Sequence, residues 1–194
     1  MSRVVALTGP KGSGKDTVGT IIRQLYPSYN VKCIAYADPI KKIINELFDL
    51  SNGVDEYDLF KRTQVTFSID HDARSVSGRR LVREIGMLMR HYDDKQFTKY
   101  VREQIETCPN TIWVVTDMRF DNEYIDMKDV GAKIVKILRP NYHYDGHITE
   151  RGFDDQLVDN LLMNDGDLDF LQMRVKIVMD KIIEEWRNEA HHGT

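Results

Sequence analysis

The stretch "TGPKGSGKDT", Thr8 to Thr17, places glycines at Gly9, Gly12 and Gly14 and a lysine at Lys15. Glycines let backbone N–H groups turn inward as an anion nest, a helix starting here adds the positive end of its dipole, and Lys15 supplies a full charge. That is the chemistry of a phosphate cradle. The spacing is that of G-x-x-x-x-G-K-[ST], except that Asp16 stands where a metal-binding hydroxyl is usual. A carboxylate facing bare phosphate is repelled, whereas one facing Mg²⁺ or its water shell is not, and an acid is also favoured in the first turn of a helix. Thr17 adds a hydroxyl one residue later. Both roles of Asp16, metal ligand and helix-start residue, stand open here.

A second set of residues fits the same chemistry. Asp117 follows the apolar run Ile112–Val115, which puts it at the carboxyl end of a strand, where an acid can orient Mg²⁺ beside a phosphate loop. Arg119, two residues on, can reach a phosphate across the same edge. Alone, the pair would read as a helix cap and a surface charge; beside a phosphate loop the chemical reading is favoured. Cations for a second phosphate are Lys41 and Lys42, the trio Arg79, Arg80 and Arg83, and Arg139 with Arg151. Most lysines and arginines on helices are solvated, so position decides. Lys41 lies just past a predicted strand, and Arg139 and Arg151 bracket a long polar segment, 141–159, read as a lid-like loop able to close over phosphates and exclude water. His143 and His147 are four apart, but Asp145-Gly146 between them marks a turn rather than a helical zinc pair. Asp70-His71-Asp72 reads as solvated loop, which leaves Mg²⁺ as the expected metal.

The elements that must hold these residues alternate. Val4–Leu7 reads as a buried strand, followed by the glycine loop and a helix carrying Val18, Ile21, Ile22 and Leu25. Val31–Tyr36 is a second strand, and Pro39 suits the first turn of the helix after it. Residues 51–77 read as an insertion or flap with no assigned element. Helices are expected over Arg79–Tyr92 and Phe97–Ile105, then a strand at Ile112–Val115, a helix at Asn122–Asp129 stopped by Gly131, and a strand at Ile134–Leu138. Leu161–Met163 is a weak last strand. Asn164-Asp165-Gly166-Asp167 supplies turn and cap residues for a closing helix whose Leu168, Leu171, Val175, Met179, Ile182 and Trp186 form one buried stripe, with "HHGT" fraying at the end. Alternation of this kind predicts an α/β fold, a mostly parallel sheet covered on both faces with the site at the carboxyl ends of its strands.

Composition bounds the partners. The chain has 194 residues, 41% hydrophobic and 30% charged, with a net charge of −4, a size that fits one domain. The acidic balance argues against nonspecific nucleic-acid or membrane binding, so an anionic ligand must meet clustered cations. No apolar run is long enough to cross a bilayer, and "MSRVVALTG" turns polar too soon for a signal peptide. Cys33 in a predicted strand and Cys108 before a turn suggest no disulfide framework. A cytoplasmic protein is expected.

With these residues in hand, the chain resembles the bacteriophage deoxynucleoside monophosphate kinases, a branch of the P-loop nucleoside monophosphate kinase fold. The likeness runs through "GPKGSGKDT", "ADPIKK", "GRRLVREIG", "VVTDMRFDNE", "GAKIVKILRP", "HITERG" and "NDGDLDFL" in that order, and the first and fourth are the most specific. The resemblance implies a three-layer P-loop NTPase fold with a central parallel sheet of about five strands, forming one domain over residues 1–194. It implies transfer of the γ-phosphoryl group of ATP, with Mg²⁺, to a deoxynucleoside monophosphate. It further implies that Gly9, Lys11, Gly12, Ser13, Gly14, Lys15, Asp16 and Thr17 hold ATP, with Asp16, Thr17 and Asp117 toward the metal. Lys41, Arg79 and Arg80 would face the monophosphate, Lys15, Asp117, Arg119, Arg139 and Arg151 would serve the transfer, and Glu123, one helical turn past Arg119, would share its face and bind sugar or base. An acid after the loop lysine is usual in such kinases. Gly12 departs from relatives with an arginine there, which bears on acceptor choice. His147 and Glu150 lie in a family-like H-x-T-E stretch of underived role. The expected partners are small-molecule nucleotides, with a homodimer admitted, and a phage-encoded protein would work in the host cytoplasm. The rivals are a P-loop kinase for another phosphorylated small molecule, phosphomevalonate-like or dephospho-coenzyme-A-like, and a noncatalytic ATP-binding switch.

Overall fold

A computed structural model describes residues 3–50, 59–69, 72–140 and 153–192. In chain order the elements are β1 (Arg3–Thr8), α1 (Lys15–Leu25), β2 (Asn30–Ile34), α2 (Asp38–Leu47), β3 (Gln64–Ile69), β4 (Asp72–Ser77), α3 (Gly78–Tyr92), α4 (Gln96–Thr107), β5 (Thr111–Val115), α5 (Asp121–Asp129), β6 (Lys133–Leu138), β7 (Asn160–Met163) and α6 (Leu168–His192). They group into two compact units, one of residues 1–35 and 101–194, the other of residues 36–100. The second unit is wider than the inserted stretch expected at 51–77.

The first unit holds a five-stranded sheet in the order β2-β5-β1-β6-β7, every neighbouring pair parallel. The expected parallel α/β sheet is therefore present. Val4–Leu7 and Ile112–Val115 are buried along their whole length, because a strand with layers on both faces has no side to leave in water. One face of the sheet, with Val5, Leu7, Val114, Val135, Ile137 and Leu162, packs on Val18, Ile21 and Ile22 of α1 and on Leu171, Val175, Met179 and Ile182 of α6. The three- and four-residue steps of both helices turn one stripe each onto that face. Leu168, expected in the stripe, is instead 60% exposed, since it is the first residue of its helix, N-terminal to the turn that touches the sheet. At its other end α6 runs to His192, and residues 193 and 194 of the tail expected to fray lie outside the described residues.

The sheet order places the site. The chain leaves β1 toward β2 on one side, while α5 carries it from β5 across to β6 on the other. The carboxyl end of β1 is thus the point where strand order reverses, the usual crevice for a ligand in an open α/β sheet.

In the second unit, β3 and β4 pair antiparallel, with Gln64 opposite Ser77 and the Thr66 and Ser75 hydroxyls 2.9 Å apart. The sequence reading assigns no element to 51–77, so this strand pair is a finding of the structure. Ser77 then caps α3, its Oγ accepting from the Arg80 N–H at 3.3 Å. Neither Cys33 nor Cys108 is in a disulfide. Among the described residues no helix is long and apolar enough to cross a membrane.

Candidate functional site

The loop from Gly9 to Gly14 leaves β1 and enters α1 with φ of 136° at Gly9 and 101° at Gly14. Only glycine holds such backbone without strain, and space forbids a side chain as well. A Cβ on Gly9 would lie 2.5 Å from the Ile137 carbonyl oxygen. No side chain caps the amino end of α1, so its first N–H groups, together with its dipole, are open to an anion.

Lys15 is buried, and its Nζ donates to the carbonyls of Gly9 at 2.7 Å and Pro10 at 2.8 Å. The ammonium is folded onto its own loop, held by neutral acceptors that an anionic oxygen outcompetes. Two further groups mark the loop as built for a ligand. The hydroxyls of Thr8 and Ser13 are buried and have no hydrogen-bond partner, a cost that a polar ligand would remove. Asp16 and Thr17 stand exposed in the first turn of α1, Gly12 is exposed, and Lys11 is half-buried.

Asp117 is set beside this loop by the backbone. The Thr116 N–H donates to the Ile34 carbonyl and the Met118 N–H to that of Leu7, so the chain after β5 continues between the ends of β2 and β1. Asp117 and Arg119 are both half-buried there. Arg119 precedes α5 rather than lying on it, which changes the part played by Glu123. The two do not share a helical face. Glu123 is 1% exposed, and its Oε2 accepts from the N–H groups of Arg119 at 2.7 Å and Phe120 at 3.1 Å. A carboxylate at the third position of a helix reaches back to the amides at its start, and here it fixes the turn that carries Asp117 and Arg119. The sequence reading has Glu123 accept from sugar or base; in the structure the carboxylate is buried and accepts from these two amides. Farther along α5, Arg102 of α4 donates through Nε and Nη2 to Asp126 Oδ1 at 2.9 and 2.6 Å. Burial pushes the Asp126 carboxyl above its ordinary range while Arg102 pulls it down.

From β6 comes Arg139, whose Nη1 donates to the Gly12 carbonyl at 2.7 Å. From the end of β7 comes Asn164, whose Nδ2 donates to the Ser13 carbonyl at 2.7 Å. The sequence reads Asn164 as a turn residue at the head of the family-like stretch "NDGDLDFL", and its spacing does not show that it meets a loop 151 residues away.

Of the lid-like loop expected at 141–159, residues 141–152 lie outside the described residues. Phe153 is buried, its ring 5.3 Å from that of Tyr124, and Lys136 Nζ donates to the Phe153 carbonyl and to Asp155. Asp159 Oδ2 accepts from the Ile134 N–H at 2.6 Å. Residues 153–159 are therefore anchored on β6, because an apolar ring and two ion-paired carboxylates tie them down. Arg151, His147 and Glu150 lie outside the described residues. Lys41, Arg79 and Arg80 belong to the second unit: Lys41 Nζ pairs with Asp38 at 2.6 Å, Arg80 Nε pairs with Glu84 at 2.6 Å, and Arg79 is half-buried on α3.

Comparison with known proteins points the same way. A family model described as deoxynucleotide monophosphate kinase matches residues 50–175. A candidate deoxynucleotide monophosphate kinase of Acanthamoeba polyphaga mimivirus is 29% identical over 151 residues, 71% of this chain and 74% of the viral protein. The dephospho-CoA kinase of Campylobacter jejuni shares the fold, with a TM-score of 0.53 at 15% identity over 94% of this chain and 98% of that one.

Proposed function

Because the chain belongs to the deoxynucleotide monophosphate kinase family, we propose that this nucleoside monophosphate kinase moves the terminal phosphoryl group of ATP onto a deoxynucleoside monophosphate. The observation that carries the reading is the Gly9–Gly14 loop with buried Lys15 and the unpartnered hydroxyls of Thr8 and Ser13. In this reading Lys15 exchanges the Gly9 and Pro10 carbonyls for phosphate oxygens and meets the charge that builds on the transferred group. The loop amides and the start of α1 hold the remaining phosphates, with Lys11 at the loop's outer side. Arg119, Arg139 and Arg151 add positive charge to the transfer, and Lys41, Arg79 and Arg80 bind the acceptor phosphate. Glu123 keeps Asp117 and Arg119 in place without touching substrate.

The donor set also fits Mg²⁺. Asp16, Thr17 and Asp117 offer hard oxygen atoms, and this metal takes one or two carboxylates alongside substrate phosphates rather than a full protein cage. Bound there, Mg²⁺ would neutralise phosphate charge during in-line transfer. Transfer itself is then a matter of positioning and charge, with little covalent work for the protein.

The test is an acceptor panel. ADP release should be stimulated by one or more deoxynucleoside monophosphates. Stimulation only by an unrelated phosphorylated metabolite such as dephospho-coenzyme A would move the acceptor assignment, and no stimulation by any acceptor would leave a nucleotide-binding protein without this activity.

A further inference from the structure

Two adjacent carbonyls of the phosphate loop, those of Gly12 and Ser13, are each held from outside by a side chain, Arg139 and Asn164. Resting on the kinase reading above, we propose that Asn164 is a positioning residue for the phosphate-binding loop: by clamping the Ser13 carbonyl it aims the Gly14 N–H at the bound phosphates. A trans peptide is planar with its C=O and N–H pointing opposite ways, and the chain has no cis peptide among the described residues. Fixing the Ser13 carbonyl toward Asn164 therefore fixes the Gly14 N–H toward the far side. Gly14 itself is in the left-handed region and begins α1. A Cβ there would come within 2.6 Å of Asn164 Nδ2, so glycine at this position is what lets the amide reach the carbonyl.

The support behind Asn164 is rigid. Its own N–H donates to the Leu138 carbonyl at 2.7 Å, tying it to the end of β6 one residue after β7 ends. A strut built on the sheet holds geometry better than one on a free loop. Its side chain is not needed for the neighbouring helix, because Asp167 caps α6 by accepting from the Phe170 N–H at 2.9 Å, and Asp165 pairs with Arg174 at 2.7 Å. The chemistry also requires an amide. A carbonyl must be met by a donor, and a carboxylate of the same shape would repel both the Ser13 oxygen and an approaching phosphate.

The experiment compares Asn164→Ala and Asn164→Asp with the wild-type chain, reading equilibrium binding of a fluorescent ATP analogue, the KM values for ATP and acceptor, and the melting temperature without nucleotide. Loss of one neutral hydrogen bond that orders the loop should weaken ATP binding about five- to tenfold in Asn164→Ala. Asn164→Asp should weaken it further despite equal shape, with acceptor KM changed less than about twofold in both. Wild-type affinity in Asn164→Asp would overturn the proposal, as would a parallel rise in both KM values together with a lowered melting temperature, which is the mark of general damage. Binding is read without acceptor, so a wild-type protein that binds ATP but phosphorylates nothing in the panel refutes the acceptor assignment and leaves the Asn164 comparison decisive. A wild-type protein that binds no nucleoside triphosphate overturns both.

Discussion

Asp16 and Glu123 are acids of opposite kinds. Asp16 is exposed at the start of α1, so its removal costs the fold no more than about 0.3–1 kcal/mol of dipole interaction. If it faces the metal, Asp16→Ala will need much more Mg²⁺ for half-maximal rate, Asp16→Ser will recover part of the activity, and Asp16→Asn will recover less because it keeps shape but loses charge. Mg²⁺ titrations of the three variants check this; an unchanged requirement in Asp16→Ala would assign the metal to Thr17 and Asp117. Glu123, by contrast, is spent on two backbone N–H groups. Glu123→Ala removes this buried acceptor from both, and the expected loss is roughly 1–3 kcal/mol of stability in urea unfolding, with turnover falling because the turn that carries Asp117 and Arg119 is loosened.

Among the elements, α1 and α6 are joined at both ends of their contact. Near the phosphate loop they share the apolar layer of Val18, Ile21 and Val175, and at the far end of α1 the Tyr26 hydroxyl donates to Asp180 Oδ1 at 2.6 Å. Burial, and then the hydrogen bond to Asp180, raise the Tyr26 phenol above its ordinary range. The folded protein thus keeps a proton that the unfolded chain loses near pH ~10, so this contribution is whole below that pH and fades as pH rises through the ordinary tyrosine range toward the folded value. Urea midpoints measured from about pH 9 to pH 11 should fall for the wild-type chain and fall less steeply for Tyr26→Phe. Equal slopes would show that Tyr26 gains nothing from its place between the helices.

Across the whole molecule, the residues proposed for ATP and those proposed for the acceptor fall in different compact units. The phosphate loop, Asp117 and Arg139 lie in the unit built on the parallel sheet, whereas Lys41, Arg79 and Arg80 lie in residues 36–100. Arg79→Ala is therefore expected to raise the acceptor KM by a factor on the order of ten to a hundred, the worth of a charge-assisted hydrogen bond, with the KM for ATP little changed. Steady-state kinetics with each substrate varied in turn would show it, and equal effects on both would remove Arg79 from the acceptor side.

The sequence by itself determined what local chemistry can write. Glycines at 9, 12 and 14 before a lysine prescribe an anion loop, Val4–Leu7 and Ile112–Val115 prescribe strands buried on both faces, and Val175, Met179 and Ile182 prescribe the stripe of α6, because backbone freedom and apolar period are properties of neighbouring residues. The strand β3 is also written in the alternation of Val65, Phe67 and Ile69 with Thr66 and Ser68, a short period among polar neighbours. Only the tertiary structure decided what Asn164, Glu123 and Phe153 meet. Asn164 meets Ser13 across 151 residues, Glu123 turns back to a loop where the spacing predicts a shared helical turn, and Phe153 anchors the last part of the segment read as a lid. Such contacts depend on sheet order and on where each strand ends, and no spacing along the chain encodes which carbonyl a distant amide will meet.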